Sequence, residues 1–183
     1  MSETVSVSSF SRLLHPCSTF LVTCCGEDGR ANIVTIAWLT PVSLKPPLLC
    51  MSLRPERFSY GLIKATNEFV VNVPSFELGR QSLYCGRISG AEVDKFAATG
   101  LTPAPAQHVR PPVIAECLAF LECRLVEDIE AGDHHIMLGE VLAAYAQQGI
   151  LEQSGLYDLE RAHPLLHVGG DRFTSTQVEA IDL

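Results

Sequence analysis

Aromatic residues are scarce in this chain, at 7% with a single tryptophan, and charged residues reach only 19% of its 183 positions. Neither GxGxxG nor GxxxxGK[ST] occurs, which excludes a nicotinamide or ATP domain of the usual doubly wound kind. No apolar run approaches the ~20 residues that a membrane span requires. None of the seven cysteines sits in a CxxC, and an odd count does not suit a disulfide framework. Their spacing also lacks what a structural zinc site needs. Internal repeats, low-complexity tracts and Pro/Gly linkers are missing too, so one domain over 1–183 is the simplest organisation.

What is present is core material. Hydrophobic residues make up 47% of the chain, which rules out disorder. A chain of this size should bury about 70% of the surface it exposes when unfolded. The low charged share points to surface covered in an oligomer. Twenty-one acidic against thirteen basic residues give a net charge of −8. That field repels phosphates of nucleic acid and anionic membranes, so neither is a partner, and any anionic ligand needs a local cluster of donors. The segment Met1–Phe10 is polar and serine-rich, without the basic start and apolar stretch of a signal peptide. A cytoplasmic protein is expected, with its cysteines as reduced core thiols.

Ser18–Cys25 and Arg30–Leu39 read as a hairpin around the turn Gly26-Glu27-Asp28-Gly29, with Pro41 stopping the second strand. Leu48–Arg54 is a third strand. Phe58, Leu62 and Ala65 share one face of a helix over Arg57–Thr66. Glu68–Val73 is a strand, and Phe76–Tyr84 and Glu92–Ala98 are short helices. The prolines at 103, 105, 111 and 112 predict an extended crossing without regular structure. In Cys117–Leu125 every odd position is apolar, while the even ones include Glu122 and Arg124, as for a strand with one face in a core. Ile136–Tyr145 is apolar on nearly both faces, and a partner subunit is the simplest cover for the second. The stretch Leu156–Phe173 is read as a short helix and an edge strand. Mainly antiparallel β-structure with inserted short helices follows.

Four clusters carry candidate chemistry. On a strand Ser52 and Arg54 point to one side, ~6.5–7 Å apart. The helix starting near Arg57 or Ser59 adds free N–H groups and a positive dipole end, so the three together suit a phosphate. The plain alternative is Ser59 as a helix cap and Arg54 on a solvated strand end. The loop Cys85–Gly90, containing Ser89 and Gly90 and followed by Asp94-Lys95-Phe96, could bring backbone N–H groups close to a ligand, or be a surface turn. In Asn32–Trp38 the polar Asn32 and Thr35 and the ring of Trp38 interrupt an apolar strand that includes Ile36 and Ala37; such a wall suits an aromatic ring with polar edges, and equally a core. In Gly132-Asp133-His134-His135 adjacent histidines point opposite ways and no third ligand is spaced for metal. One of them is either a polar group beside a substrate or a solvated turn histidine.

The run from Ala31 to Pro74 resembles the N-terminal half of flavin reductase-like proteins, the FMN-binding split-barrel family that includes flavoredoxins. The shared pattern is a strand, Pro41-Val42-Ser43 with Pro46-Pro47, a strand ending in Ser52 and Arg54, then a helix led by Ser59. Ser89-Gly90 with Asp94-Lys95-Phe96, and Gly132-Asp133-His134 with Gly139-Glu140-Val141, resemble later segments, and 163–173 a closing one. The resemblance implies a six-stranded antiparallel split barrel and a homodimer with FMN in a groove at the interface. It further implies that Thr35, Ile36, Ala37 and Trp38 line the flavin ring; Asn32, on the same strand, is a cofactor-binding candidate from its polar place in an apolar run. Ser52, Arg54, Ser59, Ser89, Gly90 and Lys95 would serve the phosphate and ribityl chain. His134 would sit near the flavin and nicotinamide face. Pro55-Glu56-Arg57 and His135 depart from the family pattern.

The function implied is NAD(P)H-dependent reduction of FMN, or flavoredoxin-type electron transfer, with NAD(P)H as donor and a redox protein or monooxygenase component as a further partner. Arg54→Ala should then cost about 1.5–3 kcal/mol of FMN binding. The alternatives are a non-catalytic flavin-binding carrier or sensor acting on a protein partner, and a haem-binding or ligand-free interaction module.

Overall fold

β-branched and apolar residues fill the runs that become strands, and turn residues separate them. A computed structural model describes residues 4–180. Five strands open the chain: β1 (Cys17–Ser18), β2 (Phe20–Cys25), β3 (Ala31–Ile36), β4 (Leu39–Leu44) and β5 (Pro47–Leu53). Helix α1 (Phe58–Thr66) follows, then β6 (Glu68–Val73), α2 (Gly79–Arg87) and α3 (Lys95–Thr99). The remainder holds β7 (Pro103–Ala104), β8 (Val113–Ile114), the long β9 (Ala119–Ala131) and β10 (His134–Ala146), and β11 (Leu165–Gly169) with β12 (Arg172–Ser175).

Seven strands form one antiparallel sheet in the order β3-β2-β6-β9-β10-β5-β4. The sheet curls so that Val22, Ile36, Met51, Phe69, Cys123 and Met137 meet in one apolar core. Phe69 is fully buried, and burying a side chain of that kind contributes about 1.5–3 kcal/mol. Gly139 lies against its ring, where any Cβ would collide. A second core, with Leu21, Val70, Cys85, Phe96, Ile114 and Phe120, joins the outer side of β2, β6 and β9 to α2, α3 and the 101–117 segment. The curl brings the edge strand β3 opposite β5. At one end the two lips touch, because Ser52 N donates to Trp38 O at 2.9 Å. The split between these lips positions the site.

The antiparallel barrel-like class stands, with one strand more than the resemblance implies. The additional strand is β4, and Pro41 lies inside it rather than ending the hairpin. β4 is the sheet's outer edge, where a missing N–H breaks no ladder, and the register shifts between Pro41 and Ser43. The proline-rich crossing is not wholly irregular, since Pro103–Ala104 pairs with Val113–Ile114. The tail has no helix between Leu156 and Phe173; it forms a hairpin, β11–β12, that also pairs with β1. The helix read over Phe76–Tyr84 is a 3-10 turn at Phe76–Leu78 followed by α2, and the one read over Glu92–Ala98 begins only at Lys95. There Asp94 caps the helix by accepting from Ala97 N, and Gly100 ends it at φ 70°.

β9 departs most from its pattern. Its second face is covered by the 103–114 segment, so Glu122 is fully buried with Phe120 beside it. The Glu122 carboxylate accepts from Gln107 N (2.8 Å), His108 N (2.6 Å) and the Tyr145 hydroxyl (2.7 Å). Burial alone would raise the pKa of this carboxyl; the three donors outweigh it and hold it below the usual carboxylate range. On β10 the inward residues are Met137 and Gly139, and Ile136 and Leu138 on the other face are only partly covered.

Candidate functional site

A cavity of about 360 Å³ occupies the split. One lip is the end of β3, where Val34 and Ile36 turn inward while Thr35, Ala37 and Trp38 follow the rim. The other is the end of β5, with Ser52, Leu53 and then Arg54. Among the described residues β3 pairs only with β2. Residues of an antiparallel edge strand direct their backbone groups to alternate sides, and Ile33 O is taken from the open side by Lys95 Nζ. Thr35, two residues on, therefore presents its N–H and C=O to the split. Its hydroxyl donates to Ser82 O at 2.5 Å, which fixes α2 against the strand. Close by, Thr19 and Ser82 line an adjoining chamber of about 160 Å³, and their hydroxyl oxygens are buried without a partner.

Beyond Val34 and Gly86 the cavity continues into a smaller pocket of about 120 Å³ at the start of α1. Arg57, Ser59, Ser89, Gly90 and Lys95 line it, with Glu56 at the exposed start of the turn. Arg57 is the N-cap and its side chain makes no capping bond, so the first N–H groups of the helix are left for another partner. Ser59 is therefore not the cap. It is 3% exposed and its hydroxyl accepts from Asn32 Nδ2 at 2.8 Å. The Asn32 carboxamide in turn lies against Gly90, where a Cβ would clash, and Arg30 donates to Gly90 O at 2.9 Å. Only glycine lets this loop approach β3 so closely.

Lys95 is 4% exposed and has no carboxylate; its ammonium donates to Ile33 O and Cys85 O, both at 2.6 Å. Desolvation lowers its pKa, and the nearby Arg57 guanidinium lowers it further. Two cations and a helix start, with the exposed Glu56 as the one acid among the described lining residues, suit an anionic group. The residues therefore fit FMN: an anion pocket at α1, a ring-sized split beside it, and open backbone donors on β3.

Most of the residues that the sequence singles out line one of these two cavities. Thr35, Ile36, Ala37, Trp38, Ser52, Arg54 and His134 line the larger cavity, and Ser59, Ser89, Gly90 and Lys95 the smaller pocket. Asn32 touches neither cavity and positions Ser59. Arg54 is at the larger cavity, and its guanidinium pairs with Asp133 at 2.7 Å with half its side chain in solvent. His134 lies 5.1 Å from Trp38, ring centre to ring centre, and its Nδ1 is 2.7 Å from Asp133. His135 faces away, bonded to Asp128 at 2.9 Å beside Tyr60 and Lys64. Missed by the sequence reading are Arg57 as a pocket residue, Arg12 and His15 from the N-terminal turn, and His167 with Gly169-Gly170 from β11–β12. The Gly169-Gly170 pair is the one signal that marks this closing segment, since only a turn needs two such residues there, at φ 128° and 60°.

Comparisons with known proteins agree with this architecture. The chain matches the family model described as "Flavin reductase like domain" over residues 11–175. It is 33% identical to an uncharacterized protein of Archaeoglobus fulgidus, over 99% of this chain and 98% of the relative. Among solved structures, flavoredoxin of Desulfovibrio vulgaris (Miyazaki F) aligns at a TM-score of 0.88 with 28% identity, covering 100% of this chain and 97% of that one. An FMN-binding protein from Thermus thermophilus, solved with 1-cyclohex-2-enone, aligns at 0.85 with 27% identity, over 100% and 98%. With a curled antiparallel sheet, a split between its edges and a family match over most of its length, this chain belongs to the flavin reductase-like family.

Proposed function

We propose that the chain binds FMN non-covalently and uses it as an NAD(P)H-dependent oxidoreductase. The observation that carries this reading is an anion pocket beside the split, sharing Val34, Arg57 and Gly86 with it, in which buried Lys95 bonds two backbone carbonyls and, among the described residues, no carboxylate. The names of its structural neighbours support the same cofactor.

When bound, the flavin supplies the chemistry: it takes up a hydride and passes the electrons on. The chain positions it. Lys95, Arg57 and the first N–H groups of α1 hold the phosphate, with Ser59 and Ser89 as hydroxyl partners. Thr35 offers backbone groups to the polar edge of the ring, and Trp38 and Ile36 give apolar contact. Asp133 fixes Nδ1 of His134, which leaves Nε2 to present a hydrogen bond to a substrate at the open side. No acid–base pair is needed for hydride transfer. The donor approaches the exposed side of the cavity, since the sequence holds no GxGxxG dinucleotide motif.

The chain acts as a homodimer. Val126, Ile129 and Leu142 on the long strands, with Val42 and Leu44 on β4, are 38–89% exposed. An apolar groove of about 520 Å³ lined by Trp38, Leu39, Cys50 and Ile136 runs from the site toward this surface. Exposed apolar area of this extent marks an association surface. The family name and the reductase reading leave a redox protein or monooxygenase component as final acceptor.

The test is the visible spectrum of purified protein after incubation with FMN and removal of the excess, followed by anaerobic NADH or NADPH. Retained flavin bands that bleach with nucleotide are expected. Bands that persist would leave a carrier served by a protein partner, and a colourless protein would end the flavin reading.

A further inference from the structure

Among the described residues, the cavity in the split is lined by three arginines, Arg12, Arg54 and Arg57, and by no aspartate or glutamate. On a chain with 21 acidic and 13 basic residues, such a concentration of one sign is against the average. Two of the three already have work. Arg57 belongs to the anion pocket at α1, and Arg54 is held by Asp133. Arg12 has neither role. It makes no ion pair among the described residues, it does not line the pocket at α1, and it stands at the cavity's exposed rim.

The segment that carries Arg12 is built around it. The 3-10 turn Phe10–Leu14 is fixed by Arg12 N donating to Ser9 O at 3.2 Å. Ser9 and Ser11 also line the cavity, and their hydroxyls bond to each other at 3.0 Å. Two hydroxyls and a guanidinium thus face the cavity from one turn, and none of the three residues lines the pocket at α1. Donors of this type in excess of one phosphate's need call for a second anion.

We propose that the N-terminal turn is a second anion site, in which Arg12 with Ser9 and Ser11 receives a phosphate group of the nucleotide that reduces the flavin. The inference rests on the flavin reading above and adds the residues that hold the co-substrate's charged end. The pyrophosphate and, for NADPH, the 2′-phosphate share this chemistry.

The test uses full-length, FMN-loaded protein and a probe that cannot react. ADP-ribose and its 2′-phosphorylated form are titrated by calorimetry into the wild type, Arg12→Gln and Arg12→Lys, with FMN occupancy read from absorbance in each sample. Arg12 is exposed, so these variants fold. Arg12→Gln should weaken binding about fivefold, as loss of one exposed ion pair allows. Arg12→Lys should retain most of it, and added salt should erode the difference. Equal affinities for the two probes assign the pyrophosphate; a preference for the 2′-phosphorylated form that vanishes in Arg12→Gln assigns the 2′-phosphate. Affinity unchanged in Arg12→Gln, or no binding by the wild type, overturns the proposal. FMN lost together with ADP-ribose in Arg12→Gln also overturns it, because Arg12 would then serve the flavin. A wild-type chain that takes up no FMN fails the flavin reading itself, seen before any probe is added, and this inference falls with it.

Discussion

At the scale of single residues, the buried ammonium of Lys95 is the most consequential charge in the site. It is desolvated and satisfied only by two carbonyls, so a phosphate beside it gains a charge that water does not screen. Lys95→Gln keeps a donor and removes the charge. FMN affinity should fall about tenfold or more, as a lost charge-assisted bond implies, read by quenching of flavin fluorescence. Arg54 is a lesser group than its sequence position implies. It is half-exposed and already paired with Asp133. Arg54→Ala should therefore cost at most about 1 kcal/mol of FMN binding rather than the larger figure set out from sequence. The difference is physical: the sequence shows a strand-end arginine near a helix start, and cannot show that Asp133, far along the chain, reaches the same guanidinium. Ser59, Gly90 and Lys95 were legible because a hydroxyl, a glycine and a lysine sit in short polar gaps between apolar runs. Arg12 and His167 were not, since tertiary packing alone brings the turn Phe10–Leu14 and the β11–β12 hairpin to the split.

At the scale of elements, strands with β-branched runs and clear turns were read to within a few residues, as for Glu68–Val73, which matches β6. β4 was missed because a proline argues against a strand unless its place at the sheet edge is known. The second face of β9 was missed for a similar reason: a period of two marks one buried face, and nothing local says that a distant loop will cover the other. Glu122 holds that loop by its N–H groups at Gln107 and His108. Its pKa is lowered in the folded state, so its contribution is full above the unfolded carboxylate pKa and is lost as pH falls through the folded value. Glu122→Gln should destabilise the chain by about 1–3 kcal/mol near neutral pH. The loss should shrink toward acid, which thermal unfolding across a pH series would show; a pH-independent loss would refute the charge argument. The contact of Gly90 with Asn32 makes a second test. Gly90→Ala should displace the Ser89-Gly90 loop and weaken FMN binding while leaving the core intact, as the melting temperature and flavin titration together would report.

At the scale of the whole molecule, the exposed apolar face of β9, β10 and β4 sets the expected assembly. Ile129→Glu places a charge on that face at a position 41% exposed in the single chain, so the monomer's own fold has little to lose. Sedimentation should show a dimer for the wild type and a monomer for the variant, with flavin lost in the monomer. A dimer that survives the change would move the interface elsewhere. The charge of −8 keeps such molecules apart except where apolar surface meets. The open side of β3 sets a different hazard. A strand whose outer N–H and C=O groups find no neighbouring strand is a template for any extended segment that drifts past, including one from another copy. Whatever fills the split also shields that template. A cell short of flavin would then lose this protein to clumping before it lost it to idleness, and soluble yield should rise and fall with the flavin supply.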